Sequence, residues 1–138
     1  MKYIIATFLL LISFSSFAQM KQMPIPRVKL GTIIGNHLDS GRVVRPQISS
    51  AEILAFPYLV VDSPGWKVVE YKCSMLSSEK EYWGPFVIGN SKLDDRIIEH
   101  VKSANFKKGR MFLENIRIER ERGGVKSVTN NIIIDYSN

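Results

Sequence analysis

The chain reads as a mainly β protein: an Ig-like β-sandwich-type domain of seven or eight strands with one short helix. Three observations predict this. Short apolar or alternating segments recur along residues 27–136, each bounded by Gly, Pro, Asn, Asp or Ser. Only one segment, after Asp94, carries a full set of helix signals. Strands do not alternate with long helical segments, which argues against a parallel α/β sheet and for packed antiparallel layers.

The first 18 residues stand apart. Lys2 charges the N-terminus, Tyr3 to Ile12 is free of charge, and Ser16-Phe17-Ala18 ends in a small-x-small pattern. This is the signature of a cleavable secretory signal. The apolar run is shorter than the roughly 20 residues that a membrane-crossing helix needs. Cleavage after Ala18 leaves 19–138 as one domain-sized chain with no integral membrane segment, placed in the periplasm or outside the cell.

From Gln19 to Pro26 the prolines give an extended leader. Arg27 to Ile34 forms a first strand, and Gly35-Asn36-His37 and Asp39-Ser40-Gly41 supply turn chemistry. Arg42-Val43-Val44 is a short strand stopped by Pro46. Ser49 to Ala55 has the Ser-x-x-Glu spacing of a helix start, but Pro57 follows so closely that a short strand or turn is expected instead. Tyr58 to Val61 lies between prolines. Lys67 to Leu76 is a long strand whose alternation places Val69, Tyr71, Cys73 and Met75 on the greasier face.

Glu81 to Gly89 is aromatic and kinked at Gly84-Pro85. In the helix that follows, Asp94 is the N-cap and Asp95 complements the dipole. Leu93 is set to staple onto Ile98. Ile97, Ile98, Val101 and Ala104 form the apolar stripe, with Arg96, Glu99, His100 and Lys102 facing away. Arg110 to Arg122 changes face midway, because Met111 and Leu113 have one parity and Ile116 and Ile118 the other. A bulge near Glu114-Asn115 reconciles them. Gly123-Gly124 turns the chain into a last strand ending at Ile132 to Tyr136.

Composition narrows the function classes. The formal net charge is +6, reduced by one when Lys2 is removed. A basic surface suits nucleic acid, anionic membrane or an acidic partner, and an exported protein meets little nucleic acid. The lone Cys73 rules out an intramolecular disulfide. On the apolar face of its strand it reads as a buried packing residue, the alternative being an intermolecular bridge. His37 and His100 have no ligand partners at metal-site spacing. No nucleophile elbow, phosphate loop or dinucleotide fingerprint occurs. Asp94 and Asp95, the one candidate acid/base pair, are accounted for by capping. No cofactor is expected, and a secreted enzyme lacks a nucleophile–base pair or metal set.

Two groups are candidates for binding. Arg117, Arg120, Arg122 and Lys126 gather around the last hairpin with Glu114, Glu119 and Glu121 interleaved. They make either a wet face with cross-strand charge pairing or a surface that meets a partner. Tyr82, Trp83 and Phe86 are the densest aromatic cluster, either core or an exposed binding patch.

Several stretches also carry a family likeness in order. They are Pro24 to Gly31, Val68 to Met75, Gly89-Asn90-Ser91-Lys92-Leu93, Gly109 to Phe112 with Glu114-Asn115-Ile116, and Ser127 to Ile132. In these the chain resembles the C-terminal domain of the gliding-motility protein GldM (PorM), over about the whole of 19–138. The resemblance implies a periplasmic β-domain from a Bacteroidetes-like bacterium. It also implies a relation to the shaft of the type IX secretion and gliding machinery, whose terminal domain contacts ring proteins and is no enzyme. The family's membrane helix, stalk and upstream domains have no counterpart here. The expectation is a free-standing, non-catalytic interaction module with an envelope protein as partner. An exported adhesin or carbohydrate-binding domain using Tyr82, Trp83 and Phe86 is the alternative.

Overall fold

The computed structural model describes residues 24–138. The expected signal peptide, residues 1–18, lies outside the described residues. Ten strands and two helices follow in the order β1 Val28–Leu30, β2 His37–Asp39, β3 Arg42–Val44, β4 Gln47–Ile48, α1 Ser50–Ala55, β5 Leu59–Val61, β6 Trp66–Ser77, β7 Tyr82–Ile88, α2 Asp95–Lys102, β8 Lys108–Arg120, β9 Lys126–Val128 and β10 Ile132–Ser137. The chain is mainly β and sandwich-like, as expected. The expected count of seven or eight strands and one helix is too low on both sides.

A six-stranded sheet runs β4-β10-β8-β6-β7, and β9 also pairs with β8. Neighbours are antiparallel except β4 with β10. The small β1–β5 sheet and both helices share one hydrophobic core with it. Register builds that core in rows across four strands. Ile132, Leu113, Cys73 and Phe86 form one row, and Ile134, Met111, Met75 and Trp83 the next. Directly opposed side chains lie on one face of a sheet, so these rows point together toward the core. Tyr71, fully buried, donates its hydroxyl to the Lys92 carbonyl at 2.7 Å and so ties β6 to the approach to α2.

The two long strands keep the core filled by slipping phase. In β8 the bulge falls where it was expected. Lys72 pairs with Glu114 and Glu70 with Arg117, and Asn115 adopts φ +49°. Asn is among the few residues that tolerate this left-handed region. Met111 and Leu113 before the bulge, and Ile116 and Ile118 after it, are therefore all buried. A second irregularity in β6, between Val68 and Glu70, corrects the strict alternation read from the sequence. Val68, not Val69, is buried beside Tyr71, Cys73 and Met75.

Ser49 to Ala55 also differs from expectation. Its capping box closes, with the Ser49 amide donating to Glu52 Oε2 at 2.8 Å and the Glu52 amide to Ser49 Oγ at 3.4 Å. Six residues are too few for an isolated helix. Fully buried Ile53 holds α1 against the core, and the chain leaves the helix at Phe56, just before Pro57. In α2 the cap is the expected one, since Asp94 Oδ1 accepts from the Arg96 amide at 2.9 Å. Leu93, Ile97 and Val101 are buried and Ile98 packs beside them. Ala104 lies beyond the helix and is exposed, and Phe106 takes the next place in the core.

Candidate functional site

The hairpin of β8 and β9 carries the four expected cations, and strand alternation divides them. Arg117 and Glu119 project from the same face of β8, opposite Val128 and Lys126 of β9. On the β6 side Arg117 faces Glu70, and Glu119 faces Lys67. Charges of opposite sign thus alternate across three strands, the arrangement expected of a wet face. None of these register pairs closes into an ion pair, because the four ion pairs among the described residues lie elsewhere. Arg120 has the opposite parity and sits across from Trp66. Arg122 is exposed in the turn before Gly123 and Gly124. Only Arg117 and Lys126 of the four therefore share one surface.

That surface is a shallow groove of about 470 Å³. Val69, Ile118 and Val128 contribute its apolar lining, and Glu70, Arg117, Glu119 and Lys126 its charges. Val128 is 54% exposed, a large β-branched side chain left in water at the groove's edge. β9 is three residues long and pairs only with β8, so its other backbone edge is free of strand partners among the described residues. Shortness and Lys126 are devices that keep such an edge from indiscriminate pairing.

The aromatic candidates also separate. Tyr82 is 59% exposed, whereas Trp83 and Phe86 turn inward against the core. The register of β7 on β6 shifts between Cys73 and Met75, which brings both Trp83 and Phe86 onto the core face. Trp83 and Phe86 meet edge-on at 4.7 Å, and the Arg96 guanidinium covers the Phe86 ring at 4.3 Å. Arg96 also donates Nε–H to Asp94 at 2.7 Å. That hydrogen bond and the Arg96 amide hold the Asp94 carboxyl below the ordinary carboxylate range. Asp94 thus serves α2 and the Phe86 cover.

His100 corrects the helix-face reading. Rather than facing away, its ring stacks on Trp83 at 4.7 Å and meets Phe106 edge-on at 6.2 Å. Phe106 in turn stacks on Tyr136 at 3.9 Å. An aromatic file therefore runs from Phe86 through Trp83, His100 and Phe106 to Tyr136. Beside it opens a cleft that sequence reasoning missed, between the β6–β7 turn and the α2–β8 loop. Two connected hollows of 340 and 200 Å³ share Ser77, Glu81, His100 and Tyr136 as lining. The register pair Ser77–Gly109 sets the two loops side by side. Residues some 30 positions apart meet there, which no local pattern announces.

Cys73 is buried with no disulfide partner, and burial pushes its thiol up to about 12. Among the described residues no group of three or more His, Cys, Asp or Glu is placed to hold a metal ion. No helix among them is long and apolar enough to cross a membrane. Comparison with models of known protein families and with curated protein sequences finds no match.

Proposed function

We propose that the chain is an exported, non-catalytic interaction module of the bacterial envelope, which binds a partner protein through the β8–β9 groove. The observation that carries this reading is the groove itself. Arg117, Glu119 and Lys126 line it without closing ion pairs among the described residues, beside the apolar Val69 and Val128. Exposed apolar surface flanked by charges suits a protein interface, the charges steering approach and fixing register. The edge of β9 that has no strand partner among the described residues adds backbone groups that a partner strand can pair with. Export rests on the charged start, short apolar run and Ser16-Phe17-Ala18 ending of the sequence. The assignment to an accessory role beside the gliding and type IX secretion machinery rests on the ordered likeness to the GldM C-terminal domain.

The non-catalytic reading is supported by the use of the one candidate acid pair. Asp94 caps α2 and binds Arg96, and Asp95 lies 3.6 Å from Lys92 in an exposed ion pair. Association kinetics test the interface. Partners are captured from periplasm by the purified protein, identified, and measured by surface plasmon resonance. Arg117→Glu combined with Lys126→Glu slows association at low salt, whereas Arg120→Glu, on the opposite face, leaves it unchanged. Equal rates for all variants would place the interface elsewhere.

A further inference from the structure

The cleft beside the aromatic file lies at the other end of β8 from the groove, next to Lys108 rather than Arg117. Its chemistry differs from that of the groove. One lip, the β6–β7 turn, carries Glu79 and Glu81, and the other, the end of the α2–β8 loop and the first residue of β8, carries Lys107 and Lys108. No ion pair joins the two lips among the described residues. Ser77 and Ser78 add hydroxyls to the first lip and Asn105 an amide to the second. Donors and acceptors are thus mixed with little net charge, which selects neither a simple anion nor a cation.

Three aromatic groups complete the wall. His100 and Trp83 are stacked and half-buried, with His100 lining both hollows. The Tyr136 hydroxyl is the third. Gly109 makes room for it, since a Cβ there would lie 2.6 Å from the Tyr136 oxygen. Among the described residues neither the His100 ring nitrogens nor the Tyr136 hydroxyl makes a hydrogen bond, and although Tyr136 is 2% exposed its hydroxyl is not fully enclosed and borders the cleft.

The walls are also fixed in place. The Ser78 amide donates to the Lys108 carbonyl at 3.0 Å and the Asn138 amide to the Lys107 carbonyl at 2.7 Å. Asn138 Nδ2 donates to the Phe106 carbonyl at 2.9 Å. A site already ordered loses less entropy on binding. The larger hollow, 340 Å³, lies at the small end of the roughly 300–1,000 Å³ typical of ligand pockets.

We propose that this cleft binds a single neutral saccharide ring, its hydroxyls shared among Glu81, Ser77, Tyr136 and Lys108 and its apolar edge laid against His100 and Trp83. A sugar ring needs interleaved donors and acceptors together with an aromatic surface, and this cleft supplies both. The proposal is independent of the hairpin interface, so either can fail alone.

The test is a titration of the isotope-labelled exported protein with glucose, galactose and N-acetylglucosamine, followed by NMR. Glycyl-glycine and inorganic phosphate serve as comparison probes. At least one sugar shifts the Trp83 indole and His100 ring signals to saturation. Its affinity falls roughly tenfold in Glu81→Gln, the worth of one charge-assisted hydrogen bond. His100→Ala abolishes the response. Because Glu81 is exposed, its variant keeps the fold even if His100→Ala loosens Trp83. The proposal is overturned if no sugar moves these signals, if the dipeptide or phosphate moves them equally, or if the Glu81→Gln variant binds as well as the parent.

Discussion

Cys73 gives the packing of the sheet a chemical readout. It lies in the core row between Leu113 and Phe86 and is 1% exposed. Burial lifts its pKa from 9.0 to about 12, with the Asp94 carboxylate adding to the effect. The thiolate is the reacting form, so the folded protein at neutral pH holds about a thousandth of the thiolate of an ordinary cysteine. Steric exclusion of the reagent slows the reaction further. A maleimide or disulfide reagent should therefore label the native protein at least about a thousandfold more slowly than the urea-unfolded chain at the same pH. Labelling is followed by intact mass. The pH dependence has a definite sign. A folded-state pKa raised above the unfolded one contributes stability that is complete below about pH 9 and is lost as pH rises toward about 12. Native labelling within tenfold of the unfolded rate, or a disulfide-linked dimer on a non-reducing gel, would refute the core placement.

Three further outcomes follow from the same physical account. Gly109→Ala forces a Cβ against the Leu76 carbonyl oxygen and Tyr136, and lowers stability by about 2 kcal/mol or more in urea unfolding. Asn115→Val puts a β-branched residue at φ +49° and costs about 1–2 kcal/mol, whereas Asn115→Gly is tolerated, a contrast that thermal melts resolve. The proposed export predicts a mature chain that begins at Gln19 by intact mass, and recovery of residues 1–18 in a membrane fraction would contradict the cleavage reading.

Much of the fold was legible because hydrophobic phase is a local signal. The parity change between Leu113 and Ile116 announces the β8 bulge, and Asp94 followed by Ile97 and Val101 announces α2. The misreadings arise where tertiary contact outweighs a local rule. Pro57 argued against a helix at 50–55, yet the Ser49–Glu52 box and the burial of Ile53 hold one there. The phase slip in β6 replaces Val69 by Val68 without any Gly or Asn to signal it. For the binding surfaces, position along the chain was a poor guide to shared space. Arg117 and Arg120 are near neighbours in sequence on opposite faces, and Tyr82 turns away from Trp83. Conversely, Glu81, His100, Lys108 and Tyr136 are scattered along the chain and line one cleft, brought together by the pairing of β6 with β8 and of β8 with β10.

The direct test of the interaction reading is a pair of photo-crosslinking substitutions matched for exposure. Val128, 54% exposed, lies in the β8–β9 groove, and Val87, 60% exposed, lies on β7, the edge strand beyond β6. A photoreactive amino acid is placed at each position in turn in the full chain, and cells are irradiated. The account predicts a discrete crosslinked envelope protein from position 128 and none from position 87. Crosslinking from position 87 alone, or from neither position, would contradict it.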